Sequence, residues 1–414
     1  MPRILSFFLF QFVLSVVAGI AIPDAKVVVP GTVVIDGQRL VDVKEGTRRK
    51  DPACDAELKH LVAQADYWLT QGPWSVTTKT EAPPNGTLHD YASQAPYWWP
   101  SNTTNGCPYI NIDGVVNPEV NKYPDHLNRG LMFNSSYILS LAWYYTGHDQ
   151  YAKHAGDILR TWFLNPSTKM NPNLEHAQII PCKNSGRSIG IIDFSQEYTD
   201  VIDAAAILNT GAPGWTSDDV KGFKTWNSQF LTWLSQSDFG MEEANATNNH
   251  GTWANMQIAA LALFTGNHSL ALSTTKLATN FINGQILKNG TQPQEVVRTR
   301  SFHYSNFNLA ALLRWAMIAE KLGINLYKYK GPQGQTLFAA VDAIIPAAVN
   351  GQKDWPFEEL EFLRYAATDN VHAAANAGYA PARKVDRKLQ PPPGGDIFRL
   401  RPAPEQLDNI DVTS

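Results

Sequence analysis

Apolar and polar positions follow a helical period over most of the chain. From about Asp51, the residues Leu58, Leu61, Val62, Ala65 and Trp68-Leu69 recur at three- to four-residue spacing, and Gly72-Pro73 stops the run. Similar amphipathic runs fall at about 125–146, 149–164, 196–209, 217–236, 252–265, 268–284, 306–322, 335–349 and 357–376. Gly147-His148-Asp149, Gly211-Ala212-Pro213 and Gly266-Asn267 divide them, as helix pairs joined by short turns require. Val27 to Val43, rich in Val, Ile and Gly, reads as part of an extended segment over 22–52. The stretches at about 73–124 and 165–195 lack the helical period and exceed ordinary connections, so function is sought there. Residues 383–414 hold Pro391-Pro392-Pro393 and few apolar positions, and read as a tail draped over the body. Consecutive helical hairpins over 53–382 predict an all-α fold, an (α/α) toroid or incomplete barrel. A helical repeat array would have a similar period, but no repeating unit is present.

The amino terminus predicts a compartment. Met1-Pro2-Arg3 is a basic start, Ile4 to Ile20 is almost wholly apolar, and Gly19 and Ala21 are small residues where cleavage is expected. Residues 1–21 therefore read as a signal peptide and the mature chain as secreted. A transmembrane anchor is the competing reading, but the run is barely long enough and no second span follows. Sequons at Asn85, Asn102, Asn134, Asn245, Asn267 and Asn289 fit a glycoprotein. The three cysteines, Cys54, Cys107 and Cys182, allow one disulfide and one thiol, and a Cys107–Cys182 bridge is the expected pairing.

Composition narrows the function. Of 414 residues, 44% are apolar and 17% charged, which permits a large core and excludes a disordered chain. The 12 Trp and 15 Tyr suit ring-packed helices or a groove that stacks sugars. A formal charge of −4 offers no global attraction for nucleic acid or acidic membranes, so a polyanion would need a local basic site. A monomer without nucleic-acid or membrane partners is expected.

Four clusters could carry chemistry. In His89-Asp90-Tyr91 and Ala95-Pro96-Tyr97-Trp98-Trp99-Pro100, prolines flank aromatic rings in an extended loop. Trp98 and Trp99 could stack sugars while Asp90 or Tyr91 bonds hydroxyls; a structural plug across the toroid is the alternative. Asn171-Pro172-Asn173, Gln178 and Arg187 join amides to a guanidinium fork suited to uronates, although Asn-Pro-Asn is also ordinary turn chemistry. Asn248-Asn249-His250-Gly251-Thr252-Trp253 opens a helix, where Asn248 or Asn249 could simply cap. A helix N-terminus also favours anions, so Asn249 and His250 could grip a carboxylate beside Trp253. Finally, Glu295, Arg298, Arg300, His303 and Tyr304 crowd before an apolar helix. A basic surface patch would look alike; the sharper expectation is that Arg300 lowers the pKa of Tyr304 and makes it a base. No serine-hydrolase elbow, zinc-protease motif, P-loop or dinucleotide fingerprint is present, and no metal or cofactor is expected.

Taken in order, HDYxSxAPYWWP, DGVVNPE, MNPNLxxAQ, GRSIGIID, NNHGTW and ExxRTRSFHYSNFNL resemble the alginate lyase domain family of polyuronate lyases over roughly residues 55–375. The pattern is most similar to the glucuronan lyase branch, polysaccharide lyase family 38. Where mannuronate lyases carry a motif like YHNYAL, this chain has HYSNFNL, so Phe307 stands against one family tyrosine and Tyr304 is the nearest phenol. The resemblance implies a toroid that cleaves acidic polysaccharide by β-elimination without a metal. In that chemistry Asn249, His250 and Arg300 would neutralise the C6 carboxylate, and Tyr304 would take H5 and protonate O4. In β-linked mannuronate and glucuronate, H5 and O4 share a face, so one tyrosine can serve both transfers. Glucuronan is the first expected substrate and polymannuronate the second. The rival readings are a toroidal glycoside hydrolase with paired carboxylates and a non-catalytic polysaccharide-binding protein.

Overall fold

The computed structural model describes residues 28–405 except Gln196; the expected signal segment lies outside the described residues. Helices dominate, and their ends sit where local chemistry puts them. Asp51 caps Pro52–Trp68 through the backbone N–H groups of Ala53 and Cys54. Thr216 and Asp219 form a reciprocal capping box on Ser217–Gln236. Asp125–Thr146 and Asn249–Thr265 both end at left-handed glycines, Gly147 and Gly266, which let the chain reverse at once.

The helices divide into two rings. Every residue of Tyr198–Leu208 is buried, as are most of Asn249–Thr265 and Ser301–Lys321. A helix buried all round lies inside a larger body. Their neighbours Asp149–Phe163, Ser217–Gln236 and His268–Gln285 bury one face each and form the outer layer. Asp125–Thr146 packs against Asp149–Phe163 and Tyr198–Leu208, while Asn249–Thr265 packs against His268–Gln285 and Ser301–Lys321. This is an (α/α) toroid. No helix among the described residues is long and apolar enough to cross a membrane.

The non-helical stretches build one end of the toroid. Ala92–Gln94 pairs in parallel with His176–Ile179, and Trp98–Ser101 pairs antiparallel with Gly106–Asn111. A Cys107–Cys182 disulfide joins that hairpin to the loop after His176–Ile179, leaving Cys54 as a buried thiol.

Three segments differ from the sequence reading. Gly37–Arg48 is helical rather than extended, because Asp36 caps it and Leu40 is buried in the core. Residues 28–36 before it are neither helix nor strand and bend at 33–35, where the N–H groups of Val34 and Ile35 bind the buried Asp203 carboxylate. The 357–376 run is helical only over Thr368–Asn376, after a 3₁₀ turn at Arg364–Ala367. The preceding Glu359 instead accepts from the N–H groups of Phe302 and His303 at 2.7 and 3.1 Å, capping Ser301–Lys321 from outside. Of the expected tail at 383–414, residues 383–391 are mostly exposed, but its last described part is embedded rather than draped: Ile397, Phe398, Leu400 and Ala403 are buried, and Arg401 pairs with Asp369 at 3.0 Å.

The tail's attachment gives a pH prediction. Burial, reinforced by Asp396, pushes the Glu57 carboxyl up to about 7, although Arg399 opposes the rise. Its folded value exceeds the roughly 4.3 of an unfolded glutamate. The stabilisation it contributes is therefore complete below about pH 4 and lost as pH rises through 7. Thermal unfolding of Glu57→Gln beside the parent, from pH 5 to pH 8, should show the parent losing Tm relative to the variant as pH rises.

Candidate active site

At the loop-bearing end a cavity of about 420 Å³ opens between the inner helices and the two small sheets. Its wall gathers residues from all four sequence clusters, among them Tyr97, Gln178, Arg187, Asn249, His250 and Tyr304. A larger depression of about 570 Å³ near Pro73, His154 and Arg160 holds none of them.

Tyr304 lies in the first turn of Ser301–Lys321, which Glu359 caps. Its hydroxyl meets the Tyr97 hydroxyl at 2.9 Å and accepts from Arg298 Nη2 at 2.8 Å. The Arg298 guanidinium also lies 3.8 Å from the Tyr304 ring centroid, and Asp113 pairs with it from below. Asp113 further accepts from the Thr299 hydroxyl at 3.1 Å. Burial opposes ionisation of Asp113, but Arg298 and Thr299 hold its carboxyl below the ordinary range. Tyr304 goes the other way. Burial raises its phenol well above the ordinary range, the Tyr97 phenol adds to the rise, and Arg298 only partly offsets it.

This corrects the expectation for Arg300. That side chain lines the cavity but pairs with Glu361 at 3.2 Å, and Arg298 is the cation on the tyrosine. The tyrosine's pKa is raised, not lowered, because desolvation outweighs one guanidinium. Arg298→Ala should therefore lower kcat by about 10² or more, the scale for losing one preorganised donor. Arg300→Ala should cost markedly less in the same steady-state assay.

Across the cavity, Asn249 and His250 occupy the first turn of a helix capped by Asn248. A buried carboxylate holds each of them. Glu295 accepts from Asn249 N at 2.9 Å and Nδ2 at 2.7 Å, and Glu243 meets His250 Nδ1 at 2.6 Å. The anion at this helix terminus is thus Glu295, whose carboxyl burial raises despite both Asn249 bonds. With Nδ1 engaged, Nε2 is the His250 nitrogen left for a ligand.

The third wall is an amide and guanidinium pair over a buried aspartate. Arg187 Nη2 donates to Gln178 Oε1 at 2.5 Å, and Gln178 Nε2 donates to Asp193 at 3.0 Å. Asp193 also accepts from Ser93 and Tyr91 at 2.6 and 3.0 Å. Burial would raise this carboxyl, but His126, Arg129 and Ser93 together hold it well below the usual range. Arg187 lines the cavity and, among the described residues, has no ion-pair partner.

Other sequence candidates fall outside the cavity lining. Tyr91 is fully buried on Asp193, and Asp90 is buried with Thr87 and Asn171 as partners. The plug reading describes both. Asn173 accepts from Glu175 N at 3.2 Å in a turn. Trp253 is fully buried, its ring 4.9 Å from Phe307. Trp98 and Trp99 sit on the hairpin, the first 4.5 Å from Lys183 Nζ and the second bonded to Val115 O. His303 does line the cavity, its ring stacked on Phe307. Sequence reasoning passed over Tyr97, Asp113, His126 and Glu243 as site residues, and gave Glu295 no role of its own. Tyr97, Asp113 and Glu295 stood inside quoted motifs, whereas nothing local marked Glu243. Asn85, Asn102, Asn245, Asn267 and Asn289 are exposed, but Asn134 is partly buried in a helix and accepts from Trp68 Nε1 at 3.0 Å. Among the described residues no group of three or more His, Cys, Asp or Glu is placed to hold a metal ion.

Open on one cavity, the Arg298-bound Tyr304, His250, Asn249 and the Gln178-bound Arg187 suit a polysaccharide lyase that acts on acidic sugars. The alginate lyase family profile matches residues 75–355, and the chain belongs to that family. An alginate lyase from Bacteroides ovatus is 33% identical with a TM-score of 0.84, over 90% of this chain and 99% of that one. A variant of alginate lyase A1-III in complex with a tetrasaccharide shares the fold, with a TM-score of 0.53 and 16% identity over 84% of this chain and 93% of its own. Alginate lyase A1-III from Sphingomonas species A1 matches at 0.50. No curated protein sequence matches. The protein is a polysaccharide lyase of the polyuronate-cleaving kind.

Proposed function

We propose that this lyase is secreted and cleaves β-1,4-linked polyuronate, glucuronan in preference to polymannuronate, by syn β-elimination. A uronate H5 is weakly acidic until charge is drawn from the C6 carboxylate. Asn249 and His250 face that carboxylate, and their bonds to it strengthen as the enolate develops. Tyr304 removes H5, and the departing O4 is reached from the same face. The carrying observation is that the Tyr304 hydroxyl, held by Arg298 and Tyr97, opens on the same cavity as Asn249 and His250. Guluronate, the C5 epimer, presents H5 on the opposite face and fits this arrangement poorly.

The test is a panel of glucuronan, polymannuronate and polyguluronate followed by ultraviolet absorbance of the unsaturated uronate. Fastest rise on glucuronan and slowest on polyguluronate supports the reading. Reducing ends without absorbance would mean hydrolysis instead, and binding without scission would mean a non-catalytic protein. Amino-terminal sequencing of protein recovered from culture medium tests secretion, with a mature start at Ile22 expected.

A further inference from the structure

We propose that Thr252, Gln285, Gln292 and Asn308 are positioning residues that set the distance between the Asn249–His250 turn and the Tyr304 turn. The inference rests on the lyase reading above and deepens it. All four side chains are buried, and none is part of the cavity wall.

Gln285 ends the outer helix His268–Gln285, yet its side chain reaches the start of the inner helix Asn249–Thr265. Its Nε2 donates at 3.0 Å to each of the Thr247 and Asn248 carbonyls, the two residues before Asn249. Its Oε1 accepts from Thr252 Oγ1 and from Asn308 Nδ2, both at 2.9 Å. A primary amide has two donors and two acceptor lone pairs, so Gln285 uses its full capacity. Turned end for end, it would set its oxygen against two carbonyls and its nitrogen against the Asn308 amide. One orientation alone satisfies it.

Asn308 carries the network to the second inner helix, one turn beyond Tyr304 on Ser301–Lys321. The same Nδ2 donates to Gln292 Oε1 at 2.8 Å, and Gln292 Nε2 donates to the Ser305 carbonyl at 2.8 Å. Gln292 immediately precedes the short helix Pro293–Val296, which carries Glu295. Glu295 in turn accepts from Asn249 N and Nδ2. The two inner helices are therefore tied by two routes. One runs through Gln285 and Asn308, and the other through Gln292 and Glu295 on a single turn of chain.

The reaction gives that separation a purpose. The carboxylate carbon C6 and the proton H5 are both attached to C5. The groups that draw charge from one and remove the other must therefore stand a fixed distance apart. A misplacement of about 1 Å can cost about 10² in rate. Apolar side chains could fill the same space, but such cores lose uniqueness before they lose stability. A buried network with its donors and acceptors paired rigidifies the elements it joins.

Gln285→Met keeps the length of the side chain and removes all four bonds. Assayed well below the variant's Tm, kcat should fall by between about tenfold and 10², with KM changed much less. A double-variant cycle with His250→Ala reads the coupling. An amide that acts by placing the His250 turn matters less once the imidazole is gone. The double variant should therefore lose less than the product of the two single losses. A lowered Tm with parental kcat in the folded enzyme would make the network structural only and overturn the proposal, as would single losses that multiply. If Gln285→Met does not fold, Thr252→Val removes one bond at nearly constant shape, and Thr252→Ser keeps it. A kcat loss in the first that the second recovers supports the proposal, and parental kcat in Thr252→Val counts against it. A parent enzyme that makes no unsaturated product from any polyuronate removes the lyase reading itself. An active parent with unaltered kcat in these variants removes only the positioning role.

Discussion

Tyr304→Phe is expected to lower kcat by about 10² or more with little change in KM. The substitution keeps the ring against Phe307 and His303, so packing is conserved while the proton carrier is lost. The Arg298 donor at 2.8 Å is left without its acceptor, but Asp113 still pairs with that guanidinium. Because burial and Tyr97 raise the phenol, the phenolate is scarce at neutral pH, and kcat/KM should climb towards alkaline pH. Absorbance assays across pH check both statements. His303 is the rival carrier, since an unperturbed imidazole titrates nearer neutrality than a phenol. It lines the cavity but lies stacked on Phe307, 5.8 Å between centroids. Near-normal kcat in Tyr304→Phe together with an inactive His303→Ala would make His303 the base.

Much of the fold was legible because its signals are local. Capping residues such as Asn248 and Thr216, and glycines such as Gly147 and Gly266, mark helix ends within a few positions of sequence. Gly37–Arg48 was misread because its Val-rich composition suggests strand, whereas Asp36 and the burial of Leu40 decide for helix. The site was legible as a set of motifs but not as a geometry. Tyr91 and Tyr97 stand in one motif, yet one is fully buried on Asp193 and the other lines the cavity. Arg298 and Arg300 are two residues apart, and the irregular turn before Ser301–Lys321 sends one to Tyr304 and the other to Glu361. The roles of Glu243 and Glu295 were not legible for a different reason. Their partners lie 7 and 46 residues away, and tertiary packing alone brings them together.

Those two carboxylates shape the second large prediction. His250→Ala should reduce kcat by about 10²–10³, the cost of losing one donor aimed at charge that grows in the transition state. The loss should exceed any change in KM, because a bond that strengthens towards the enolate contributes little to ground-state binding. Glu243 gives the internal control. It is buried, and its 2.6 Å contact with Nδ1 directs the free nitrogen of His250 to the ligand. Glu243→Gln retains an acceptor for Nδ1–H but removes its charge, so the bond loses the extra strength of a charged partner, about 1 kcal/mol. A kcat loss of roughly fivefold is the consequence. Glu243→Ala leaves His250 without that orienting partner and should approach the His250→Ala value. If His250→Ala instead raised KM alone, with kcat preserved, the histidine would hold the sugar without sharing the developing charge. Carboxylate neutralisation would then fall to Asn249 and to Arg187, the cavity-lining guanidinium without an ion-pair partner among the described residues.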